Sequence, residues 1–496
     1  MKHINIASLM SDSGVGFGTS GARGLVSKMT DETCYAYTCA FLQYLKLQTR
    51  SGNIHQVAIA GDLRPSTHRI ILAVITAAEA MQIEPVYCGL IPSPAIALYG
   101  IVHQLPSVMV TGSHIPDDRN GIKFNTVHGE ITKHDEQGIR EQSVAIDEAL
   151  FDEQGMFIEL RQLSPVNNQA ISEYQQRYTR FFGQGVLEGM TVGVYQHSGV
   201  ARDLLVRLLQ DLGAKVISLG RSEIFVPVDT EAIRNEDMQL AVKWASEHEL
   251  DAIVSTDGDA DRPLISDDKG NWLRGDAVGA LCARFLGADY VVTPVSSNTA
   301  VDISGWFAEV RRTRIGSPYV IEGMENLQQA GHKKVVGYEA NGGFLQQDEI
   351  NLNGHVLSPL PTRDAVIVIL CLLVSAKQRG IKLSRLAADL PQRYTFSDRI
   401  KEIPTAKSKS LIAGLAGSNG KQDKKQIGDF FEQKFGEVEA IDMTDGMRIT
   451  FSNKDVVHFR ASGNAPELRC YTESENLVKA RENNHLALEL ARQALS

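Results

Sequence analysis

The feature that most restricts the fold is a recurring order of a short apolar run, a glycine-containing or polar loop, and a helical stretch. Such runs are Val57 to Ala60, Val108 to Val110, Val192 to Tyr195, Ala252 to Val254 and Tyr290 to Val292. Short apolar runs alternating with helical patterns are typical of buried strands in α/β domains. Ligands in these folds bind beyond the carboxyl ends of the strands. We therefore expect the functional residues in the loops that follow these runs.

Size and charge exclude several classes of protein. The chain has 496 residues, which is room for about three or four domains, and its 43% hydrophobic and 22% charged residues are ordinary for globular proteins with buried cores. It carries 50 Lys and Arg against 60 Asp and Glu, a formal net charge of −10. This acidity argues against sequence-independent binding to nucleic acid or to an anionic membrane. A local basic pocket for a phosphate group is still compatible with it.

Cysteine usage and hydropathy indicate where the protein works. The six cysteines form no CxxC pair, which predicts reduced, buried thiols and a cytoplasmic location. No apolar segment typical of a secretory signal follows Met1, because Asp12 and Ser13 interrupt the start. The longest apolar run, Ala365 to Val374, is about half of the ~20 residues that span a bilayer. We expect it to form a buried helix rather than a membrane span.

The clearest chemical motif is the stretch DGDADR at residues 257–262, directly after an apolar run. In an extended segment, Asp257, Asp259 and Asp261 would point the same way and concentrate negative charge that a cation must neutralise. Three carboxylates suit Mg²⁺, whose remaining positions take water or a substrate phosphate. The motif therefore predicts a magnesium site.

Three other interpretations compete for this motif. It could be a solvated acidic turn. An EF-hand loop needs Gly at its sixth position and Glu at its twelfth, where this chain has Arg262 and Asp268. A haloacid-dehalogenase-type phosphatase also uses a DxD at a strand end, but the Thr or Val that follows in that family is Asp261 here. The phosphatase, with Asp257 as nucleophile, stays open as an alternative.

A second motif is TGSHIP at residues 111–116, followed by NGIK at 120–123. A serine exposed after a buried strand, beside a glycine and a proline, is placed where a nucleophile or phosphate carrier would stand, although a helix cap or turn serine has the same neighbours. No G-x-S-x-G elbow surrounds Ser113, and nothing selects His114 as its base. A hydrolase triad is therefore not expected.

Three further loops bear on anion and sugar binding. The loops at 18–24 and 460–466 each place an arginine, Arg23 or Arg460, among small residues whose backbone N–H groups can face a phosphate. The loop at 337–343 ends a strand with Glu339 and Asn341, a carboxylate and an amide that could hold sugar hydroxyls. Each loop alone could also be an ordinary turn.

Taken together and in this order, the five motifs resemble the α-D-phosphohexomutase family, which includes phosphomannomutases and phosphoglucomutases. The family pattern runs GTSGxRG, TASHNP with a following NGxK, DGDxDR, GExSG and RxSGTEP. The counterparts here are Gly18 to Gly24, Thr111 to Pro116 with Asn120 and Lys123, Asp257 to Arg262, Gly337 to Gly342, and Arg460 to Pro466. The likeness extends over nearly the whole chain.

The resemblance implies an α/β fold of three mixed α/β domains plus a smaller C-terminal α+β domain around a central cleft. We place the domains at residues 1–165, carrying the phosphoserine loop, 166–275, carrying the metal loop, 276–395, carrying the sugar-recognition loop, and 396–496, the phosphate clamp. Within the last domain, the sequence predicts strands at 447–451 and 456–459 and a closing helix at 475–495.

The same resemblance assigns roles to individual residues. Ser113 would carry the phosphoryl group, and Asp257, Asp259 and Asp261 would hold Mg²⁺ against the Ser113 oxygen. The reacting phosphate would be surrounded by Arg23, Lys123 and Arg262, with Lys123 handling the proton. The substrate-binding residues implied for the sugar hydroxyls and for the phosphate that is not reacting are Glu339, Asn341, Arg460, Ser462, Gly463 and Asn464.

The implied activity is that of an isomerase, a phosphohexomutase that interconverts a hexose 6-phosphate and a hexose 1-phosphate through a phosphoserine enzyme and a hexose 1,6-bisphosphate, which also serves as activator. We expect a phosphomannomutase, with phosphoglucomutase or phosphoglucosamine mutase as alternatives, and with a Mg²⁺-dependent phosphatase or a non-catalytic sugar-phosphate sensor as alternative classes. Three departures from the family pattern leave the sugar preference open: TGSHIP for TASHNP, with Gly112 and Ile115, then Asn341, and Asn464-Ala465.

Overall fold

The chain folds as three α/β units followed by a C-terminal unit built mostly of antiparallel strands, which confirms the predicted fold class. The computed structural model describes residues 1–18, 21–48, 54–159, 161–416, 424–431, 434–462 and 466–495.

The first unit contains a mixed sheet and a separate two-stranded ribbon. Its strands are β1 (Lys2–Asn5), β2 (Gly16–Phe17), β3 (Gly21–Leu25), β4 (Gln56–Gly61), β5 (Glu84–Leu90), β6 (Ser107–Val110), β7 (Arg119–Thr126), β8 (Gly129–Glu130) and β9 (Ser143–Ile146). Its helices are α1 (Ile6–Ser13), α2 (Asp31–Gln48), α3 (Thr67–Ala80), α4 (Ser93–His103) and α5 (Lys133–Arg140).

Strand order in the main sheet of the first unit is β2-β3-β7-β6-β4-β5, with β8 added to β7, while β1 pairs with β9. The central strand β4 runs parallel to β5 and β6, and β7 and β3 are antiparallel to their neighbours. Strand β6 is buried along its whole length, and β4 is buried at every position after its first, as expected for strands covered on both faces. Because β4 and β6 are adjacent and parallel, the loops that follow them meet at one edge of the sheet.

The second and third units repeat this plan with smaller sheets. The second contains α6 (Gln169–Phe182), β10 (Thr191–His197), α7 (Arg202–Asp211), β11 (Lys215–Arg221), α8 (Asn235–His248), β12 (Ala252–Thr256) and β13 (Pro263–Ser266). The third contains α9 (Gly275–Phe285), β14 (Tyr290–Pro294), α10 (Ala300–Ile303), β15 (Glu309–Thr313), α11 (Ser317–Gln329), β16 (Val335–Tyr338), β17 (Phe344–Gln346), β18 (Ile350–Leu352), β19 (His355–Leu357), β20 (Leu360–Asp364), α12 (Ala365–Arg379) and α13 (Leu383–Ala387). Their sheet orders are β11-β10-β12-β13 and β15-β14-β16-β17-β20, with β18-β19 as a hairpin.

The C-terminal unit is a five-stranded antiparallel sheet in the order β21-β25-β24-β23-β22, covered by helices. Its elements are β21 (Tyr394–Lys401), α14 (Thr405–Ala416), α15 (Lys424–Phe430), β22 (Val438–Asp442), β23 (Met447–Phe451), β24 (Val456–Ala461), β25 (Glu467–Ser474) and α16 (Leu477–Leu495). The two predicted strands and the closing helix of this unit are therefore confirmed. Strand β21 begins two residues before the predicted boundary at 396.

One hydrophobic cluster is shared by the three α/β units, and each unit also has a smaller or separate cluster of its own. One cluster of buried side chains extends from Ala58 in β4 to Leu390 after α13, whereas the C-terminal unit has a core of its own. Helix α12 contains the apolar run Ala365 to Val374, and every residue of that run is buried, as predicted. It packs on α9 of its own unit and on β13 of the second unit. None of the described helices is both long and apolar enough to cross a bilayer.

The start of α12 is tied to the second unit by a buried carboxylate. Asp364 caps the helix by accepting a hydrogen bond from the Val366 N–H at 2.9 Å. The Tyr174 hydroxyl of α6 donates to Asp364 Oδ1 at 2.7 Å, and the Tyr178 hydroxyl donates to Oδ2. Burial raises the pKa of Asp364, an effect opposed by the two tyrosine hydrogen bonds. The contact therefore joins two units through a polar group that must be satisfied.

Replacing Tyr174 with phenylalanine removes one of these donors without changing the packing of the ring. We expect Tyr174→Phe to lower the free energy of unfolding by about 1–3 kcal/mol, because a buried acceptor loses a partner. Urea denaturation followed by circular dichroism measures the change. Tyr394→Phe is the matched control, since the Tyr394 hydroxyl bonds to Gln392 at the surface. Equal stability of Tyr174→Phe and the wild type would show that this contact does not hold the units together.

Candidate active site

The Ser113 loop follows β6, and Ser113 itself is buried in a left-handed backbone conformation with φ of 57°. Its hydroxyl donates a hydrogen bond to Asp257 Oδ2 at 2.7 Å, and its N–H donates to Thr111 Oγ1 at 2.8 Å. Thr111 Oγ1 in turn donates to Asp62 Oδ2 at 2.7 Å, in the loop after β4. The serine and the acidic loop, distant in sequence, are thus brought into direct contact.

Arg64 holds the Ser113 loop in shape, and no motif in the sequence analysis identified it. The Arg64 side chain is fully buried and pairs with Asp62 at 3.2 Å. Its guanidinium donates four hydrogen bonds to backbone oxygens of the loop, those of Ser113 at 2.8 Å, Ile115 at 2.5 Å, Pro116 at 2.8 Å and Arg119 at 2.9 Å. Its position in the sequence could have indicated it, because Arg64 follows β4 at the same sheet edge as Ser113.

Gly112 makes room for this arginine. A Cβ atom at position 112 would lie 2.6 Å from Arg64 Cζ and 2.8 Å from Arg64 Nε, too close for real contacts. Because four backbone hydrogen bonds hold the guanidinium in place, it has little freedom to move away. This gives a physical reason for glycine where the family pattern TASHNP has alanine.

The acidic loop brings its three aspartates together through a turn, not through the extended segment expected from their spacing. Ala260 has φ of 62°, and Asp257 Oδ1 accepts hydrogen bonds from the N–H groups of Asp261 and Arg262 at 3.2 Å each. All three carboxylates are buried, and ligand oxygens of Asp257, Asp259 and Asp261 lie within 4.8 Å of one another. The prediction of an extended segment was wrong, because two successive turn residues fold the loop back on itself.

Two oxygens of this cluster are suited to a cation. Asp259 Oδ1 and Asp261 Oδ1 are buried and accept no hydrogen bond from any described residue, although Arg262 Nε lies 3.6 Å from Asp261 Oδ1. A buried carboxylate oxygen without a donor is costly unless a cation contacts it. Together with Asp257 Oδ2 and the Ser113 hydroxyl, they form an all-oxygen donor set of the kind that Mg²⁺ prefers. The residues present fit the predicted metal.

Lys123 lies between two of the aspartates. Its ammonium donates to Asp259 Oδ2 at 2.6 Å and to Asp261 Oδ2 at 2.7 Å. Lys123 is on β7, opposite Gly21 of β3, so that Arg23, two residues along β3, projects from the same face of the sheet. A Cβ at Gly21 would lie 2.7 Å from Lys123 Cα, and only glycine permits this strand contact.

Burial and neighbouring charges divide the three carboxylates. Burial, reinforced by Asp259 and Asp261, raises the pKa of Asp257 well above its ordinary value. Burial also opposes ionisation of Asp259, but Lys123 outweighs it and holds the pKa of Asp259 below the ordinary value. Burial likewise opposes ionisation of Asp261, but the positive charge of Arg363, the largest opposing effect, helps to hold the pKa of Asp261 below its ordinary value. The site can therefore keep at least two carboxylates ionised beside a buried ammonium.

His114 is held neutral. Burial, with help from the cations Arg262 and Arg23, lowers the pKa of His114 to about 2. Its Nδ1 lies 2.9 Å from the Arg262 guanidinium, which can only donate, so the imidazole is the acceptor and orients the arginine. Ser113 Oγ lies 3.3 Å from the same Nδ1, but its shorter hydrogen bond, at 2.7 Å, is to Asp257.

The predicted sugar loop lies between β16 and β17. Glu339 is buried, and Asn341 Oδ1 accepts from the Gly343 N–H at 2.9 Å, which shapes the turn. The Asn341 carbonyl accepts from the Thr230 hydroxyl of the second unit at 2.9 Å. A second residue that no motif identified, Arg363, donates to Glu339 Oε2 at 3.3 Å.

The predicted clamp loop is described only in part. Arg460 donates through Nε to Asp445 Oδ2 at 2.8 Å, and the Ser462 N–H donates to the Glu467 carbonyl at 3.0 Å. Gly463 and Asn464 lie outside the described residues.

A row of three arginines crosses the C-terminal sheet beside that loop. Arg399 of β21 is opposite Arg469 of β25, which is opposite Arg460 of β24. Like charges directly opposite each other on neighbouring strands are destabilising. The carboxylates Glu467 and Asp445 offset part of this repulsion. The remaining positive charge favours an anion on this face of the sheet.

These elements surround a cavity of about 570 Å³ that opens to solvent and is lined by residues of all four units. Six of the predicted site residues line it: Arg23, Ser113, Arg262, Glu339, Asn341 and Arg460. Lys123 and the three aspartates lie behind this lining, in contact with Ser113 or with one another. Among the described residues, eight arginines and five carboxylates line the cavity, which makes it locally positive in a chain of net charge −10.

Comparison with known proteins places this arrangement in a family. Three domain models described as phosphoglucomutase/phosphomannomutase, alpha/beta/alpha domains I, II and III match residues 14–150, 173–270 and 274–394. They cover more than half of the chain, in the order of the three α/β units. The chain belongs to the phosphoglucomutase/phosphomannomutase family, as its motifs predicted.

Individual relatives agree with this placement. The chain is 43% identical over 477 residues to a phosphomannomutase of Salmonella muenchen, and the aligned region covers 96% of this chain and 95% of the relative. It is 40% identical over 460 residues to a phosphomannomutase of Sinorhizobium fredii (strain NBRC 101917 / NGR234), covering 93% and 95%. A crystal structure of a phosphoglucomutase/phosphomannomutase family protein from Burkholderia thailandensis has a TM-score of 0.72 at 17% identity, covers 97% of this chain and 98% of that one, and shares the fold.

The neutral state of His114 predicts a pH dependence of stability. The folded protein leaves His114 unprotonated down to about pH 2, whereas the unfolded chain protonates it below its ordinary pKa of 6.5. Proton binding by His114 therefore favours the unfolded chain below pH 6.5, and the free energy of unfolding falls as the pH is lowered. When the pH is lowered from about 7.5 to about 5.5, we expect the free energy of unfolding of His114→Gln to fall by about 1 kcal/mol less than that of the wild type.

Urea denaturation at the two pH values measures this difference. The control is His248→Gln, which replaces an exposed histidine at the end of α8. If the free energy of unfolding of His114→Gln falls with pH as much as that of the wild type, the imidazole of His114 is already charged in the folded protein.

Proposed function

We propose that this protein is a phosphohexomutase, an isomerase, that interconverts mannose 6-phosphate and mannose 1-phosphate. The observation that carries the proposal is the Ser113 hydroxyl, hydrogen-bonded to a buried three-aspartate cluster at the floor of an arginine-lined cavity. The identity of 43% and 40% to two phosphomannomutases supports mannose over glucose or glucosamine phosphates. A sugar with one phosphate at each end suits a cavity with cations at both its floor and its roof.

Ser113 is proposed to carry the phosphoryl group. A phosphoserine has a charge of about −1.5 to −2 at neutral pH and persists only beside cations. Arg23, Lys123 and Arg262 would supply them, since Arg23 projects from the face of the sheet that carries Lys123, and His114 orients Arg262. Transfer of a phosphoryl group needs chiefly this alignment and neutralisation of charge.

Mg²⁺ is the cation proposed for Asp257, Asp259 and Asp261, with an oxygen on Ser113 as a further ligand. When bound, it would neutralise negative charge on the phosphoryl oxygens. The two aspartate oxygens without hydrogen bonds support this assignment.

The proposed reaction balances over two transfers. In the first, a sugar hydroxyl oxygen forms a bond to phosphorus while the bond to Ser113 Oγ breaks, which gives a hexose 1,6-bisphosphate. In this first transfer, Lys123 would take the proton of the attacking sugar hydroxyl and pass it to Ser113 Oγ as that oxygen leaves phosphorus. In the second transfer, the Ser113 hydroxyl attacks the other phosphoryl group, and Lys123 would pass its proton to the sugar oxygen that leaves. The carboxylates that raise the pKa of Lys123 are the proposed cation ligands, so the ammonium loses part of its stabilisation when they bind a cation. A hexose 1,6-bisphosphate would also serve as activator by phosphorylating Ser113.

The other end of the sugar is proposed to contact the third and fourth units. Glu339 and Asn341 would bind hydroxyl groups, and Arg460, Ser462, Gly463 and Asn464 would bind the phosphate that is not reacting. The arginine row of the C-terminal sheet supports this, because it places further positive charge beside Arg460. A C-terminal unit with its own core can move to let the bisphosphate turn round.

The cysteines and the charge of the chain also support a cytoplasmic location and a phosphosugar as the ligand. All six cysteines are buried free thiols, which suits a reducing compartment. Eight arginines line the cavity among the described residues, and the negative net charge disfavours nucleic acid as a partner.

Ser113→Ala tests the carrier directly. We expect turnover of mannose 1-phosphate to fall by about 10³-fold or more, because the atom that carries the phosphoryl group is removed. Peptide mass analysis of the wild type, after incubation with mannose 1,6-bisphosphate, should find phosphate on Ser113. Wild-type protein that never carries phosphate there would refute the mutase.

The same assay distinguishes the two alternatives. A phosphatase using Asp257 would release inorganic phosphate and retain activity in Ser113→Ala. A sugar-phosphate sensor would bind mannose 1-phosphate with no turnover in either protein.

Asp259→Asn tests the cation site. We expect the Mg²⁺ concentration that gives half-maximal activity to rise by about 10-fold or more, since one ligand charge is lost. The control is Asp203→Asn, which changes an exposed carboxylate of the same unit. Removal of Mg²⁺ with a chelator should stop the wild-type reaction. Unchanged Mg²⁺ dependence in Asp259→Asn would show that the cation binds at another site.

A further inference from the structure

Arg363 is a buried arginine at the end of β20 that lines the floor of the cavity. It matches none of the five motifs, and only 3% of its surface is exposed. A buried guanidinium stays charged and needs carboxylate partners in its own plane. The identity of those partners shows what Arg363 does.

Three carboxylates from three different units surround the guanidinium. Its Nη2 atom lies 2.9 Å from Asp261 Oδ2, its Nη1 atom 3.3 Å from Glu339 Oε2, and its Nε atom 3.9 Å from Glu130 Oε1. Asp261 belongs to the acidic loop, and Glu339 belongs to the sugar loop. One rigid fork therefore spans the two loops, and the carboxylates of both can stay ionised in the same buried region.

The contact with Asp261 determines which oxygen of that aspartate remains for a cation. Asp261 Oδ2 already accepts from Lys123 at 2.7 Å and from Arg363, whereas Oδ1 is buried and accepts no hydrogen bond from the described residues. The contact with Glu339 likewise occupies Oε2 and fixes the plane of a carboxylate that lines the cavity.

The surroundings hold Arg363 in this position from both sides. A Cβ atom at Gly343 would lie 2.8 Å from Arg363 Cδ and 2.9 Å from Cγ, so the glycine leaves the space that the side chain fills. The next residue, Asp364, is anchored by the hydroxyls of Tyr174 and Tyr178. The guanidinium is thus placed by packing and by backbone anchoring together.

We infer that Arg363 is a positioning residue that couples sugar recognition to cation binding, by holding Glu339 and Asp261 with one guanidinium. The inference rests on the proposed function. Arg363→Lys keeps the charge but replaces the planar fork by a single ammonium, which can hold one of the two carboxylates but not both in their present orientations.

The experiment measures two constants that only a coupling residue moves together. In Arg363→Lys, we expect the KM for mannose 1-phosphate to rise by about 10-fold and the Mg²⁺ affinity, measured by calorimetry without sugar, to fall by about 10-fold, as for residues that orient ligands indirectly. Arg379→Lys is the control, since Arg379 also ends a segment of the third unit and pairs with Asp389 at the surface. It should change neither constant.

Gly343→Ala tests the same contact without altering any charge. The added methyl group would displace Arg363 and would also lie 3.0 Å from Asn341 Oδ1, so both constants should shift in the same direction as in Arg363→Lys, and the Mg²⁺ affinity measured without sugar is the one that reports on Arg363. If Arg363→Lys fails to fold, this variant provides the test in its place. A shift in only one constant, or in neither, would overturn the inference.

The two proposals fail in different ways. Wild-type protein without turnover of mannose 1-phosphate would refute the proposed function. The Mg²⁺ calorimetry needs no turnover, and unchanged affinity in both Arg363→Lys and Gly343→Ala would refute the role of Arg363 even in a fully active mutase.

Discussion

The structure depends on the neutralisation of a few buried carboxylates. Asp257, Asp259 and Asp261 stand at the end of a buried strand, where unpaired negative charge is costly. Their cationic partners come from other parts of the fold, with Lys123 from the first unit and Arg363 from the third. Charge balance is therefore reached only when the three α/β units are packed together. The shared hydrophobic core, which extends through all three, brings the charges to within hydrogen-bonding distance.

The same arrangement explains how an acidic protein presents a basic cavity. The net charge of −10 is distributed over the whole chain, whereas eight arginines line the cavity among the described residues. Field lines in a low-dielectric cavity are focused, so a small dianionic ligand experiences these arginines more than the distant acidic surface. The arginine row of the C-terminal sheet adds to this field from the opposite side of the cavity. A phosphosugar can thus bind between two positive regions that belong to units with separate cores.

The sequence predicted the Ser113, acidic and sugar loops well because each follows a short buried strand, and strand ends carry functional residues in α/β folds. Arg23 and Arg460, which were expected in loops, lie instead on strands β3 and β24. The family, the fold class and the buried helix at Ala365 to Val374 followed from such local patterns. Arg64 and Arg363 could not be predicted in the same way, because their partners lie far away in the sequence. The turn in the acidic loop was missed as well, since the spacing of three aspartates is compatible with either an extended or a folded backbone.

By itself, the amino-acid sequence determined which groups are available: a serine proposed to carry phosphate, three aspartates, and the arginines and lysine of the glycine-containing motifs. It also determined the alternation of strand and helix, because the hydrophobic period is a local property of the chain. Tertiary structure alone decided which of these groups meet. Strand register sets Arg23 beside Lys123, and packing of three units sets Arg363 between Asp261 and Glu339. Such contacts arise from the geometry of whole units, which no local pattern encodes.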